Sequence, residues 1–138
     1  MCVFKNAEIG KQVQPFSITI DWSMYKQYNR LVHEINPLHF NEKYAQNLGY
    51  KTIVVAGVFT ASFLLRPVLS LVKDPTSIIN YEIRFHDPVY LGDTITNLAV
   101  INKKSEKEGK NYIEFDAWVE NQDKKKVISG TVTVALSL

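Results

Sequence analysis

Apolar and polar residues alternate in five segments of the chain, as in strands that bury one face of a sheet. The predicted strands cover residues 13–20, 78–86, 94–104, 111–120 and 126–136. After the first strand, Asp21 can cap a helix over residues 22–32. Asn41 can cap a shorter helix over residues 42–48, which Gly49 ends. "KEGKN" and "NQDKK" predict tight hairpin connections between the last three strands.

The segment "IVVAGVFTASFLLRPVLSLV", residues 53–72, is twenty residues long with one charge, enough to span a bilayer. Arg66 would cost about 2.5–3.5 kcal/mol within such a span, and Pro67 would remove a backbone hydrogen bond. The rest of the chain alternates like a sheet protein, which a single membrane anchor does not require. We therefore predict a buried helix that opens at Gly57 and runs to about Val72, with a kink at Pro67. Because this helix is apolar on nearly every side, it must be surrounded by protein.

The order of these elements is one strand, two helices, one long buried helix and then four strands. A helix that is apolar all round needs a sheet that wraps it. We therefore predict an α+β hot-dog fold, a curved antiparallel β-sheet wrapped around a long central α-helix, with the last four strands as an antiparallel meander. An ordinary two-layer α+β sheet with one open face is the alternative. At 138 residues, the chain is expected to form a single domain over residues 1–138.

The composition excludes several classes of function. Hydrophobic residues make up 46% and charged residues 22% of the chain, close to the globular average, so extensive disorder is not expected. A net charge of +2, with basic and acidic residues interleaved, does not favour nucleic-acid binding. Cys2 is the one cysteine, so an internal disulfide is impossible, and its terminal position makes it a poor nucleophile candidate. The first residues lack the pattern of a signal peptide, so a cytoplasmic location is expected.

Candidate chemistry begins with "HEINPLHF", residues 33–40. Pro37 fixes its own φ and pushes Asn36 out of the α region, so Glu34 and His39 cannot lie along one continuous helix. A stiff turn would hold them instead. A carboxylate and an imidazole in one cleft can divide general-base and general-acid work, because histidine titrates near neutrality. The structural alternatives are a surface charge for Glu34, a structural histidine and an Asn36 side chain that either satisfies the turn or orients Glu34.

Gly57 stands at the start of the predicted buried helix. One interpretation is structural: the junction between strand and helix requires close packing or an unusual φ angle. The other is functional, since the N-terminus of a helix offers free N–H groups and the positive end of a dipole. A thioester carbonyl could accept the Gly57 N–H. Charge that builds on that oxygen during a reaction would then be stabilised, as in an oxyanion hole.

Other motifs are incomplete or absent from the sequence. "HEINP" starts like the zinc motif HExxH, but Pro37 stands where the second histidine must be, and no metal site is predicted. No GxSxG, GxxxxGK(S/T) or GxGxxG pattern occurs. His33 and His86 are interpreted as surface or packing residues. The run "NKKSEKEGK" predicts a solvated hairpin, although Lys103 or Lys104 could meet a phosphate.

Three blocks, "NPLH", "AGVFTASFL" and "RFHDPVYLGDTI", together resemble the MaoC-like hydratase/dehydratase family. Those proteins carry Asp-x-Asn-Pro-Leu/Ile-His, a glycine at the start of the central helix and a later Pro-Val-x-x-Gly-Asp segment. The similarity runs over nearly the whole chain. By this resemblance, His39 matches the catalytic histidine and Gly57 the oxyanion glycine. Glu34 stands where the family has its catalytic aspartate, and His33 where a glycine usually precedes it.

The resemblance implies a hot-dog enzyme, usually dimeric, that reversibly hydrates trans-2-enoyl thioesters to (R)-3-hydroxyacyl thioesters. Glu34 would take a proton from water as the water attacks Cβ, and His39 would help to hold that water and protonate Cα. The Gly57 N–H would hold the enolate oxygen. The expected partners are an acyl-CoA or acyl-carrier-protein thioester and a second copy of the chain, because exposed sheet edges are usually paired. No metal or redox cofactor is needed.

Two alternatives remain open. In a hot-dog acyl-CoA thioesterase, the same carboxylate would direct water at the carbonyl carbon. In a non-catalytic subunit, the chain would bind acyl groups or complete a partner's dimer. Glu34 favours the second alternative, because a side chain longer by one methylene can misplace the carboxylate, and an error of ~1 Å at a preorganised site can cost ~10²-fold in rate.

Overall fold

The computed structural model describes residues 3–137, so Cys2 lies outside the described residues. The helices are α1 Val3–Asn6, α2 Trp22–Leu31, α3 Glu42–Asn47, α4 Gly57–Leu64 and α5 Arg66–Val72. The strands are β1 Phe16–Thr19, β2 Ile78–Phe85, β3 Thr94–Lys107, β4 Lys110–Glu120 and β5 Lys126–Leu136. Two 3₁₀ turns cover Pro37–His39 and Pro75–Ser77. The predicted strands are confirmed, with the first one shortened, and α1 was not predicted.

The five strands form one antiparallel sheet in the order β1-β3-β4-β5-β2. The predicted meander holds for β3, β4 and β5, but it is wrong for β2, which pairs with β5 at the far edge of the sheet. In this pair Ile83 lies opposite Gly130. A Cβ atom at Gly130 would collide with the backbone oxygen of Glu82, so a glycine is what allows β2 to approach β5 here.

The helices α4 and α5 pack against β3, and α4 also packs against β4 and β5. Phe59, Leu64 and Val68 point into a core that the strands complete with alternate residues, since Ile113, Phe115, Ala117 and Val119 on β4 are all buried. This alternation is the period-two pattern that the sequence shows. A curved antiparallel sheet against a central helix is the predicted α+β hot-dog architecture, and it is confirmed.

The central helix is interrupted at Leu65, two residues before the predicted kink. Pro67 has no N–H to donate to the carbonyl of Phe63, four residues earlier. The N–H of Leu65 donates to the carbonyl of Phe63 instead and tightens the turn between α4 and α5. Proline therefore explains the break, although the break lies at Leu65 and not at Pro67 itself.

The expectation that protein surrounds the central helix on every side is wrong for the single chain. Val58, Ser62, Arg66 and Ser70 are all exposed, and their spacing of four places them on one face. Arg66 lies over the ring of Phe16, with 4.1 Å between its guanidinium carbon and the ring centroid. Among residues 3–137, no helix is both long and apolar enough to cross a membrane.

Candidate active site

The turn after α2 is built by local hydrogen bonds. Helix α2 ends at Leu31, and His33 then adopts a left-handed conformation with φ of 53°. The left-handed His33 therefore ends the helix, which stops one residue before the predicted end at residue 32. Asn36 caps the 3₁₀ turn, because its side-chain oxygen accepts the N–H of Leu38 at 3.1 Å. The Asn36 side chain thus satisfies the turn, the structural one of its two predicted roles.

His39 ends the 3₁₀ turn and is held on two sides. Its Nδ1 lies 2.8 Å from the carbonyl oxygen of Val54, so Nδ1 carries the proton and donates it. The backbone oxygen of His39 accepts the side-chain N–H of Asn29 at 3.2 Å. Because these bonds fix the ring and its tautomer, Nε2 is the ring nitrogen left for proton transfer.

Glu34 is half-buried, and its carboxylate Oε1 accepts the backbone N–H of Asn36 at 2.9 Å. Asn36 therefore does orient Glu34, but through its backbone. The carboxylate also acts on two tyrosines of α2. Burial raises the pKa of Tyr25 to about 12, and the negative charge of Glu34 acts in the same direction, against the lowering by the Ala56 N–H. Burial and then the charge of Glu34 raise the pKa of Tyr28 as well.

The N-terminus of α4 lies beside this turn. The hydroxyl of the fully buried Tyr25 accepts the backbone N–H of Ala56 at 2.9 Å. No side chain among residues 3–137 caps α4, so the N–H of Gly57 is the next donor along the helix. The φ of Gly57 is not in the left-handed region. A Cβ there would lie 2.9 Å from Cε1 of Phe85, and this exposed ring would have to move to make room.

A cleft of ≈ 300 Å³ brings His39 and Gly57 together. Its lining comes from four parts of the chain and comprises His39, Tyr50, Val54, Val55, Gly57, Thr60, Phe85, His86, Asp87, Pro88, Val89 and Ile128. Glu34 and Asn36 are not among these residues. The structure therefore places two of the four predicted site residues in the wall of one cleft, and Glu34 in the turn next to His39.

The segment 53–55 connects the parts of this cleft. The carbonyl of Val54 holds the His39 ring, and the N–H of Val55 donates to the carbonyl of Val89 at 2.8 Å. Val89 belongs to the block "HDPVYLGD", which ends at the buried Asp93. The side chain of Asp93 accepts the N–H of Tyr90 at 2.9 Å and closes a tight turn. The three blocks of the sequence are thus physically linked around the cleft.

Sequence reasoning missed several cleft residues. His86 was predicted as a surface or packing residue, and it is exposed, but it also lines the cleft, with Nε2 2.7 Å from the hydroxyl of Ser129. Asp87 beside it forms an ion pair with Lys125 at 3.0 Å. The available signal was their position directly before Pro88 in the third block. Tyr50 and Thr60 carried no signal of this kind.

The remaining chemical candidates lie elsewhere. Lys104 donates to the carbonyl of Ala7 at 2.7 Å and lies over the ring of Phe4, so it anchors the N-terminal segment. Lys103 borders a separate surface depression on the outer part of β3. Within residues 3–137, no group of three or more His, Cys, Asp or Glu side chains is placed to hold a metal ion.

The sequence is similar to proteins of one family. Residues 4–122 match the family model for the MaoC-like domain. A 3-hydroxyacyl-acyl-carrier-protein dehydratase of Solanum lycopersicum mitochondria is 34% identical over 112 residues, which are 79% of this chain and 66% of that protein. An (R)-specific enoyl-CoA hydratase of Rhodospirillum rubrum is 32% identical over 84 residues, 60% of this chain and 58% of that protein. The chain thus spans about two thirds or less of the length of these relatives.

The fold is similar to that of a solved hydratase structure. The structure of an (R)-hydratase from A. caviae, involved in PHA biosynthesis, superposes with a TM-score of 0.82 at 18% identity. The superposition covers 94% of this chain and 97% of that one. The family match extends over most of the chain and includes the turn, the start of α4 and the third block. This chain belongs to the MaoC-like domain family.

Proposed function

We propose that this protein catalyses the reversible hydration of trans-2-enoyl thioesters to (R)-3-hydroxyacyl thioesters, with an acyl-CoA or acyl-carrier-protein thioester as substrate. The observation that carries the proposal is that His39 and the helix N-terminus at Gly57 line one cleft. This pairs a proton-transfer group with a backbone donor for a developing negative oxygen. The hydratase and dehydratase relatives support the same reaction.

In the hydration direction, a water oxygen forms a bond to Cβ while the Cα–Cβ double bond opens toward the thioester. The electrons accumulate on the thioester oxygen, which the N–H of Gly57 stabilises as an enolate. Since this donor belongs to a helix N-terminus, the helix dipole favours the same charge. The apolar residues of the cleft, such as Val55 and Ile128, would contact the acyl chain.

Two side chains would move the protons. Glu34 takes one proton from the attacking water, and His39 as an imidazolium gives the proton on Nε2 to Cα. Proton exchange with solvent then restores both groups. In dehydration, His39 removes the Cα proton and protonated Glu34 gives its proton to the departing hydroxyl. The Asn36 N–H on Oε1 leaves the other carboxylate oxygen of Glu34 for this work.

The test is hydration of crotonyl-CoA by the purified protein, followed as loss of the enoyl absorbance, with free thiol measured in parallel. Loss of absorbance without thiol release is the expected result, and chiral analysis should give the (R)-3-hydroxy product. Thiol release at the same rate would instead assign the protein as a thioesterase. Longer enoyl-CoA substrates in the same assay would give the preferred chain length.

A second candidate is a non-catalytic subunit of a heteromeric dehydratase. The observation that favours it is that Glu34, longer than the aspartate of the family motif, is absent from the cleft lining. This candidate predicts a protein inert on every enoyl-CoA that becomes active when mixed with a homologous subunit. Activity of the purified chain alone would exclude it.

We also propose that the protein is a homodimer that pairs along β2. This strand is an edge of the sheet, and its Ile79, Tyr81 and Phe85 are 56%, 53% and 58% exposed. An edge strand with unpaired backbone and exposed apolar side chains favours association with another strand. Because Phe85 also lines the cleft, a partner at this edge would lie beside the candidate active site.

Light scattering at micromolar concentration tests the dimer. The expected result is twice the mass of the 15.8 kDa chain, and a shift toward monomer in Tyr81→Glu, which places charge on the edge. A matched control is Tyr112→Glu on the central strand β4, which does not border β2. A stable wild-type monomer would contradict the proposal.

A cytoplasmic location remains part of the proposal, and the single cysteine of the sequence supports it. The tomato relative is named as mitochondrial, so another compartment is a concrete alternative. Fractionation of the native cells, with detection of the untagged chain, would distinguish the two. Recovery in an organelle fraction would contradict the cytoplasmic location.

A further inference from the structure

The hydroxyl of Thr60 is unusual among the hydroxyl groups of the central helix. Ser62 in α4 donates to the carbonyl of Phe59 at 2.6 Å, and Ser70 in α5 donates to the carbonyl of Pro67 at 2.7 Å. Each serine hydroxyl donates a hydrogen bond to a carbonyl of the preceding turn, as hydroxyl groups in helices commonly do. Thr60 Oγ1 is buried and has no partner among residues 3–137, and the whole residue is 1% exposed.

A buried hydroxyl without a partner is destabilising, and each such group in a folded protein calls for an explanation. Within residues 3–137, three other buried side-chain atoms share this property, and all are amide oxygens: Asn29 Oδ1, Asn97 Oδ1 and Asn111 Oδ1. Thr60 is the one residue of these four that lines the cleft. Its missing partner is therefore best sought in a molecule that occupies the cleft.

The position of Thr60 indicates which atom of that molecule it would meet. Thr60 follows Gly57 by three residues, so the two lie on the same helix face about 4.5 Å apart along the axis. A thioester oxygen bound to the Gly57 N–H has Cβ of the acyl group two carbons away. An acyl chain that continues along α4 brings an oxygen on Cβ to the level of the Thr60 hydroxyl.

We infer that Thr60 Oγ1 hydrogen-bonds to the oxygen at Cβ, which is the attacking water in hydration and the 3-hydroxyl in dehydration. Thr60 is thus a further substrate-positioning residue, and the inference rests on the proposed function. It exchanges no proton in the reaction, because Glu34 and His39 do so. Its contribution is to hold the oxygen over one face of the acyl group and to discriminate against chains without that oxygen.

The decisive variant is Thr60→Val, which keeps the shape and removes the hydroxyl. The kcat/KM for crotonyl-CoA hydration should fall about tenfold, the factor that corresponds to one hydrogen bond near the upper end of its usual net strength. Inhibition by butyryl-CoA should be unchanged, because that thioester has no oxygen at Cβ. Thr60→Ser should keep most of the activity. Ser62→Ala is the matched control, since its hydroxyl is satisfied within the helix.

Unfolding experiments separate this role from a structural one. Thr60→Val should not lower Tm, because it removes a buried polar atom that has no partner. An unchanged kcat/KM in Thr60→Val would overturn the inference. The inference would also be overturned if the inhibition constant of butyryl-CoA rose in Thr60→Val by the same factor as kcat/KM fell. That result would mean that the hydroxyl binds the thioester oxygen and not the oxygen at Cβ.

The failure of the proposed function would look different. If the wild type does not hydrate crotonyl-CoA, the proposed function fails, and calorimetric binding of (R)-3-hydroxybutyryl-CoA and butyryl-CoA then tests Thr60 separately. A wild-type preference for the hydroxy compound that Thr60→Val abolishes would support the contact. Equal binding of the two thioesters, or binding of neither, would overturn it.

Discussion

The hydroxyl of Tyr25 accepts the backbone N–H of Ala56 at 2.9 Å and so ties helix α2 to the residue directly before Gly57. The two residues are 31 positions apart, and the bond is buried. It satisfies one of the free N–H groups at the start of α4 and leaves the next one, on Gly57, for a ligand. The position of the proposed oxyanion donor therefore depends on a tyrosine outside the family motif.

We expect Tyr25→Phe to lower the free energy of unfolding by about 1–3 kcal/mol, because the Ala56 N–H would stay buried without an acceptor. Chemical denaturation measures this change. Tyr28→Phe is the matched control, since Tyr28 is only partly buried and its ring also contacts Phe59, at an interplanar angle of 60°. An equal loss in the two variants would mean that the hydroxyl of Tyr25 has no special role.

The same tyrosine predicts a pH dependence. The pKa of Tyr25 in the folded protein is about 12, against 10.0 for an ordinary tyrosine. Between these two pH values the Tyr25 hydroxyl has lost its proton in the unfolded chain but keeps it in the folded chain. The contribution of this proton to the free energy of unfolding is therefore complete below pH 10 and is lost as the pH rises toward 12. The free energy of unfolding should fall more steeply over this interval in the wild type than in Tyr25→Phe. Parallel curves would contradict the assignment.

We expect His39→Ala to reduce the kcat of hydration by ~10²–10⁴-fold, which is the usual effect of losing a general acid. The fold should remain, because the half-buried ring makes one hydrogen bond, to Val54, worth about 1 kcal/mol. Circular dichroism and kcat at saturating substrate check both parts. His86→Ala removes the other imidazole of the cleft and should keep most of the rate. A lower Tm with an unchanged rate per folded molecule would make His39 structural.

We expect Glu34→Gln to reduce the rate of hydration by ~10²–10⁴-fold, because the amide preserves the shape of the side chain but cannot accept a proton from water. Glu34→Asp should be more active than Glu34→Gln, since a shorter carboxylate can still accept the N–H of Asn36 two residues on. Kinetics on one enoyl-CoA compare the variants. Wild-type activity in Glu34→Gln would show that the base is another group.

We expect His33→Gly to unfold with a free energy about 1 kcal/mol higher than His33→Ala, because only glycine adopts the left-handed region without strain. His33 has a φ of 53° and an exposed side chain, so neither variant loses much packing. Denaturant titration of the two proteins measures the difference. Equal stability would mean that the turn relaxes when the side chain is removed.

We expect Gly57→Ala to lower kcat/KM by about tenfold or more, because a Cβ would crowd the oxygen that approaches the N–H. The new methyl would also lie 2.9 Å from Cε1 of Phe85, but Phe85 is 58% exposed and can move, so Tm should change little. The double variant Gly57→Ala/Phe85→Ala separates the two effects. It should remain impaired, and full recovery would assign the loss to a displaced Phe85.

Much of the local structure could be predicted from the sequence, because its causes lie within a few residues. Asp21 and Asn41 each accept an N–H three residues later, at 2.8 and 3.0 Å, and so begin α2 and α3 as expected. Glu108 and Gly109 have φ angles of 51° and 74° and form the two-residue hairpin between β3 and β4. The turn that carries Glu34 and His39 is determined in the same way, by Asn36 and Pro37.

The tertiary structure decided which distant segments meet. The position of β2 beside β5 depends on the close approach that Gly130 permits, and no pattern within either strand specifies it. Thr60 lies in the cleft wall, and only the folded chain leaves its hydroxyl buried and without a partner in the part of the chain that the structure describes. Caps, turns and alternation are short-range properties of a chain, whereas strand order and the partner of a buried hydroxyl arise from packing between residues far apart in sequence.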